Sequence, residues 1–251
     1  MSDERSSYKS ILRGMSVFGG VQVFQILINL VRGKFIAIFL GPAGSGIASL
    51  FTSASVSIQQ LSSLGIPMAL TREVAKDNGS QHDIESTVRA GRRAVMLTAL
   101  LGMIICGGGA WWLSKGTFGT YDYSWQFVLL SIAVAFTLLW NGDQAILQGL
   151  RKVNLLSRAT LISSITGLVA GVPLYWLLGT DGIVPAMVIL AVTMWIFYRH
   201  ALSKTVNTSA ISRSIDYSII KRMVVFGLIL MSGQFIGSVV IYAANVYIRS
   251  T

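Results

Sequence analysis

Long runs of apolar residues follow one another along the chain, and short polar connections separate them. A helix needs about 20 mostly apolar residues to cross the hydrocarbon core of a bilayer. Seven runs meet or approach that length. The pattern therefore predicts an all-α fold, a polytopic transmembrane helical bundle with about seven spans. We place these spans at residues 15–40, 44–68, 94–113, 125–148, 159–178, 183–201 and 223–248.

Composition narrows the class of protein further. Of the 251 residues, 53% are hydrophobic and 12% are charged, whereas about 25% of the residues of a soluble domain carry a charge. A net charge of +10 would also suit a nucleic-acid-binding protein. Such proteins need a basic face on a soluble fold, and the sequence shows none, so we expect no nucleic-acid partner. The single cysteine, Cys106, lies inside an apolar run, which excludes an intrachain disulfide and a cysteine metal site.

The placement of the basic residues predicts the orientation in the membrane. Sixteen of the 20 Lys and Arg fall on one side: fifteen in the N-terminal tail and in the connections after the second, fourth and sixth spans, and Arg199 at the end of the sixth span. The opposite side carries two, Lys115 and Arg249, and the other two fall inside the first span. Cytoplasmic loops of membrane proteins are enriched in Lys and Arg. We therefore expect a multi-pass protein whose N-terminus is cytoplasmic.

Glycine and proline mark the ends of several predicted helices. The outward turns at residues 40–44 and 178–182 share the spacing L-G-x-x-G, which suggests repeated hairpins, although glycine turns alone also produce this spacing. Residues 80–83 resemble a capping box, so we expect the third helix to begin in the loop before the membrane. Pro67 is expected to bend the cytoplasmic end of the second helix because it lacks a backbone donor.

Few residues are available for enzyme chemistry inside the membrane. Among the ten Asp and Glu residues only Asp143 falls inside a predicted span, and the two histidines lie at the ends of different spans. A carboxylate pair, a metal cluster or a histidine-based triad cannot be assembled from this set. We therefore expect no enzymatic activity, metal or cofactor. Asp143 could take up a proton during a transport cycle, or it could neutralise the nearby Arg151 or Lys152.

A polar stripe runs along the first predicted helix. Gln22, Gln25, Asn29 and Arg32 are spaced by three, four and three residues, so they lie within an arc of about 80°. One interpretation is a water-filled cavity in which Arg32 binds an anion. The alternative is that Arg32 pairs with Asp143 or a carbonyl group and holds helices together.

Other polar residues in the spans are further candidates for the cavity. Lys34 points about 160° away from Arg32, so it either reaches the headgroups or uses a second face. Gln59 and Gln60 on the second helix are cavity candidates. Near the end of the fourth helix Asn141 and Gln144 share a face. Asp143 lies about a quarter-turn or more round the helix from that face, and the three residues are candidates for a coupling site or an ion pair.

Three stretches resemble the bacterial O-antigen and polysaccharide flippases of the multidrug/oligosaccharidyl-lipid/polysaccharide exporter superfamily. They are RGKFIAIFLGPAGSGI at residues 32–47, LGIPMALTREVA at 64–75 and QAILQGLRK at 144–152. The resemblance implies a carrier of the bacterial inner membrane that contacts membrane lipid and binds a polyprenyl diphosphate. It would move undecaprenyl-diphosphate-linked oligosaccharide, such as an O-antigen unit of lipopolysaccharide, to the outer leaflet by alternating access.

The resemblance also implies a division of the chain, because such flippases have two lobes of about six helices. Residues 1–14 would form a cytoplasmic tail, 15–201 a six-span lobe, 202–222 a cytoplasmic connection and 223–251 a seventh span that starts a second lobe. Alternating access needs two bodies, so we expect a second copy or a separate second lobe as partner. Two alternatives stay open: a cation-coupled multidrug exporter of the same superfamily, and a non-transporting fragment.

Overall fold

The computed structural model describes residues 2–76, 81–205, 219–229 and 231. Helices and short turns make up this part of the chain, and it contains no strand. A 3-10 turn at Gly179–Gly182 joins the last two of the seven helices that have defined bounds. These helices are α1 (Ser2–Ser63), α2 (Ile66–Lys76), α3 (Gln81–Gly108), α4 (Ala110–Phe118), α5 (Ser124–Gly149), α6 (Val153–Leu178) and α7 (Ile183–Ser203).

Gly41 divides α1 into two limbs, residues 2–40 and 42–63. Its backbone leaves the helical region at φ 68° and ψ −171°, a conformation that glycine adopts without strain. Pro42 then begins the second limb, where its missing donor costs little. Arg32 and Ile36 line one cavity together with Ala48 and Thr52, so the limbs run antiparallel. The turn predicted between the first two spans is confirmed.

Four apolar stretches within the described residues are long enough to cross a membrane: Gly19–Ser63, Ile84–Gly108, Ser124–Gly149 and Val153–Ser203. The first and last contain 45 and 51 residues, which is about twice the length that one crossing needs. Each has a hairpin turn near its middle, at Gly41 and at Gly179–Gly182. Both Gly41 and Gly179 have positive φ. The expectation of a helical, multi-pass membrane protein is confirmed.

The helix ends differ from the prediction in two places. The second span ends at Ser63, and not at residue 68, because Leu64 and Gly65 both have positive φ. Pro67 therefore does not bend that helix; it lies in the first turn of α2, where backbone donors have no partner within the helix. Similarly, α3 ends at Gly108, and the short α4 follows the break at Gly109. The expected start of α3 in the loop is confirmed at Gln81.

Helix α5 lies at the centre of the bundle and packs against α2, α3 and α7. Small residues allow these close contacts, as is common between membrane helices. A Cβ atom at Gly142 would lie 2.6 Å from the methyl carbons of Val95 on α3. Another at Gly149 would lie 2.8 Å from Val74 on α2. Glycine is therefore needed at these two positions of α5.

Large apolar side chains cover much of the outside of the bundle. Leu30, Ile104, Val169 and Trp176 are each at least 64% exposed. In a bilayer this surface faces lipid, which accepts apolar side chains as readily as a protein core does. The pattern is that of a membrane bundle.

The predicted seventh span lies largely outside the described residues. Residues 219–229 are helical, so this helix already includes residues before the predicted start at 223. Met223 is fully buried and belongs to the apolar cluster around Leu70 and Ile146. Gly227 lies so close to the turn at Leu64 and Gly65 that a Cβ on Gly65 would collide with the backbone of Gly227, and a Cβ on Gly227 would collide with the carbonyl oxygen of Leu64.

We expect Gly142→Val to destabilise the bundle, because the added side chain would collide with Val95. Overpacking of this kind costs about 1–3 kcal/mol. The matched control is Gly20→Val, since nothing lies within 4 Å of a Cβ at Gly20. The measurement is the melting temperature of the detergent-solubilised protein, followed by size-exclusion chromatography after heating. Equal melting temperatures for the two variants would contradict the packing described here.

Candidate functional site

Four of the predicted site residues meet in one cavity of about 630 Å³ between the second limb of α1, α2 and α5. Gln59 and Gln60 come from the last turns of the limb. Asn141 and Gln144 come from α5, together with Gln148. We call this space the amide cavity. Pro67, Thr71 and Arg72 of α2 complete its wall.

The amides of α5 share one face because residues 141, 144 and 148 follow helical spacing. Gln59 donates a hydrogen bond from Nε2 to Ser55 Oγ at 2.7 Å, which fixes its amide and leaves its carbonyl oxygen for other donors. The guanidinium of Arg72 lies 4.1 Å above the ring of Phe226. The cavity thus contains amide donors and acceptors and one cation.

A second cavity, of about 270 Å³, surrounds Arg32 and is called the arginine cavity here. Arg32 donates from Nε to the Tyr175 hydroxyl at 3.4 Å, and its Nη2 atom is buried without a hydrogen-bond partner in the described part of the chain. The unpaired donor favours the anion-binding interpretation of Arg32. The alternative pairing of Arg32 with Asp143 is wrong, because Asp143 contacts two other arginines.

The two cavities adjoin each other. Val56 and Gln59 line both of them, so these side chains form the wall between the amide cavity and the arginine cavity. Thr52 and Ser55 add hydroxyl groups on the side of Arg32. The bundle therefore holds two adjoining cavities, one lined by Arg32 and the other by Arg72.

The structure does not place the rest of the predicted stripe in these cavities. Gln22 and Asn29 are exposed, and Gln25 is half-buried. Lys34 is exposed, as its position opposite Arg32 suggested. None of these four residues lines the amide cavity or the arginine cavity.

Asp143 is buried and forms ion pairs with two partly exposed arginines from neighbouring helices. Its Oδ1 atom lies 3.8 Å from Nη2 of Arg92 on α3 and 3.9 Å from Nη1 of Arg199 on α7. The expectation that it neutralises Arg151 or Lys152 is wrong. Those two residues lie beyond the end of α5 and are exposed, whereas Asp143 is two turns further back in the helix.

Sequence reasoning missed four residues that the structure adds: Arg72, Tyr175, Arg92 and Arg199. The three arginines had been counted only as cytoplasmic charges, because they lie close to the predicted span ends. Helical spacing places a residue on a face but cannot identify its partner on another helix. The one available signal was that Arg72 falls inside the second family-like stretch.

We expect Asp143→Ala to destabilise the protein strongly, because it leaves two partly buried guanidinium groups without their counter-ion. Removing one partner of a buried ion pair costs about 3–5 kcal/mol, or a fall in melting temperature of about 10 °C. Asp122→Ala is the control, since Asp122 is exposed. The measurement is the melting temperature of each variant in detergent. Similar melting temperatures for the two variants would show that the ion pairs of Asp143 do not stabilise the fold.

Comparisons with known proteins agree with this architecture. A sequence model of the family described as polysaccharide biosynthesis protein matches residues 11–250. The Lipid III flippases of Escherichia coli (strain K12) and Shigella flexneri are each 26% identical over 178 residues, which covers 68% of this chain and 42% of theirs. The chain therefore spans less than half the length of these curated relatives.

A solved structure shows the same fold. It is the outward-facing conformation of a multidrug resistance MATE family transporter of the MOP superfamily, with a TM-score of 0.71 and 17% identity. The similarity covers 91% of this chain and 52% of that transporter. The family match over nearly the whole chain confirms the resemblance seen in the three sequence stretches. The chain belongs to the polysaccharide biosynthesis protein family.

Proposed function

We propose that this chain takes part in moving an undecaprenyl-diphosphate-linked oligosaccharide from the cytoplasmic to the outer leaflet of the bacterial inner membrane. The observation that carries the proposal is the pair of adjoining cavities, which combine arginines with amides inside a membrane bundle. The cargo would be an O-antigen unit or another repeat unit of a surface polysaccharide. The curated relatives named Lipid III flippase support this class of substrate.

The chemistry of the cavities suits both parts of such a substrate. Arginine binds phosphate through charge-assisted, often bidentate hydrogen bonds, and Arg32 has an unpaired buried donor for this purpose. Arg72 offers a second cation in the amide cavity. Sugar hydroxyls both donate and accept, and amide side chains do the same. We assign this role to Gln59, Gln60, Asn141, Gln144 and Gln148.

The exposed polar residues of the first limb suggest that a further lobe or a second copy of the chain lies against this limb. Gln22 and Asn29 are exposed among apolar neighbours such as Ile26 and Leu30, and polar groups are costly to expose to lipid. We propose that they and Gln25 line a cleft shared with a further lobe or a second copy. Lys34 would reach the headgroup region instead.

We propose that residues 15–201 form one six-span lobe and that residues 1–14 are its cytoplasmic tail. Residues 202–222 would lead to a seventh span, 223–251, that belongs to the second body. Two bodies moving against each other would provide alternating access. Export of drugs coupled to cations is less well supported, because the membrane carboxylate Asp143 is already paired with Arg92 and Arg199.

We expect Arg32→Ala to reduce transport at least about tenfold, since a charge-assisted hydrogen bond is worth about 1.5–3 kcal/mol. Lys34→Ala, which removes a charge two residues away at an exposed position, should leave transport near the wild-type rate. The assay uses proteoliposomes containing a fluorescent undecaprenyl-diphosphate oligosaccharide, with dithionite quenching of the outer leaflet as readout.

Two further results separate the parts of the proposal. If two copies form the carrier, the initial rate should rise with the square of the protein density in the vesicles. If a different second lobe is needed, the chain alone should bind the lipid without transporting it. Equal effects of Arg32→Ala and Lys34→Ala on both binding and transport would rule out the assigned role of Arg32.

We expect the N-terminus to be cytoplasmic, as the basic connections indicate. Cys106 is the single cysteine, so Cys106→Ser provides a background for labelling. In intact cells a membrane-impermeant maleimide should label Lys115→Cys but not Lys152→Cys, and both positions are exposed. Permeabilised cells should give labelling at both sites. The reverse pattern in intact cells would invert the proposed topology.

A further inference from the structure

A groove on the outside of the bundle contains two arginines that the proposed transport does not use. Its volume is about 330 Å³, its floor is α5, and its walls are α3 and α7. Arg92, Asp143 and Arg199 form one end, and Leu100 and Ala135 form the other. Arg92 and Leu100 are eight residues apart on α3, so the groove extends about 12 Å along the helix.

The polar end of this groove has an excess of positive charge. Two guanidinium groups share one carboxylate oxygen, at 3.8 and 3.9 Å, and both distances exceed those of a good hydrogen bond. The Nε and Nη2 atoms of Arg92, and also the Oδ2 atom of Asp143, are buried without a hydrogen-bond partner in the part of the chain that the structure describes, so two cations face one carboxylate. Donors therefore remain for an anion. Asp143 holds the two guanidinium groups near each other but does not saturate them.

The rest of the groove is apolar and open to the outside. Met96 and Leu100 on its α3 wall are 59% and 48% exposed. They continue into the exposed apolar face of α3 that includes Leu97 and Ile104, a surface that faces lipid in a membrane. A ligand in this groove thus contacts cations at one end and hydrocarbon-like side chains along its length, which matches an amphiphile better than a soluble anion.

The arginines also lie at the right depth for a lipid headgroup. Arg92 is two residues before the predicted start of its span at residue 94, and Arg199 is two residues before the predicted end of its span at 201. Both ends are cytoplasmic in the proposed topology. Basic pockets between membrane helices on this side bind the headgroups of anionic lipids. The groove length of about 12 Å covers most of one leaflet of a hydrocarbon core that is about 30 Å thick.

We propose that this groove binds one anionic phospholipid of the cytoplasmic leaflet. Its phosphate would accept hydrogen bonds from Arg92 and Arg199, and an acyl chain would lie over Ala135 between Leu100 and Trp195. The lipid would join α3 to α7 across α5. This site is separate from the amide and arginine cavities. The proposal of lipid binding can therefore be wrong while the proposed substrate contacts are right.

The test is native mass spectrometry of the full chain in mild detergent, incubated with equal amounts of phosphatidylglycerol and phosphatidylcholine that carry the same acyl chains. The wild type should retain phosphatidylglycerol in preference. Arg199→Gln should lower this preference about fivefold, the effect expected for one basic residue near an anionic lipid. Arg93→Gln is the matched control, because Arg93 is exposed on α3 and does not line the groove.

Two more variants separate lipid binding from misfolding. Arg199→Lys keeps the charge and should retain most of the preference, while Ala135→Phe should reduce the retention of both lipids by filling the floor. Equal retention of the two lipids by the wild type would overturn the proposal, as would equal effects of Arg199→Gln and Arg93→Gln. The proposal is also overturned if Arg199→Gln weakens the binding of undecaprenyl diphosphate but leaves the binding of phosphatidylglycerol unchanged.

Discussion

A carboxylate that stays ionised inside a membrane bundle needs cations or hydrogen-bond donors beside it, because the hydrocarbon core contains no water to solvate it. Asp143 meets this requirement through Arg92 and Arg199, which come from the helices on either side of α5. The pairing fixes α3 and α7 against the same helix at the same depth. Directly before Asp143, Gly142 lets α3 approach closely enough for the contact with Arg92 to form. Charge pairing and close packing therefore depend on each other at this point of α5.

Two polar cavities among the described residues lie where helices diverge or end. The amide cavity lies where the second limb of α1 stops at Ser63 and α2 begins in a new direction. The arginine cavity lies where both limbs of the hairpin that turns at Gly41 face α5, α6 and α7. Both cavities are lined partly by exposed side chains, such as Gln60 and Thr52, and the groove over Asp143 opens where α3, α5 and α7 meet. The lobe thus offers different chemistry at separate places on its surface.

The helical architecture could be predicted from the sequence because a bilayer imposes a minimum apolar length on each span. The turns at Gly41 and Gly179 were found for a similar reason, since glycine is the residue that tolerates positive φ. The site was predicted only in part. Asn141 and Gln144 share a helix face that spacing reveals, and Gln59 and Gln60 are amides inside a predicted span, but Tyr175 and the arginine partners of Asp143 come from distant segments. Long-range pairing of this kind has no periodic signal in the chain.

The residues between the two polar cavities determine how fast a bound group could move from one cavity to the other. Val56 and Gln59 are the described residues that line both cavities. A partly exposed side chain changes rotamer in picoseconds to nanoseconds, whereas helices move against each other in microseconds to milliseconds. If Gln59 releases Ser55 and turns aside, a bound group can pass from one cavity to the other while the helices stay where they are. Passage through this lobe would then be limited by the slower motion of the surrounding bodies and not by its internal wall.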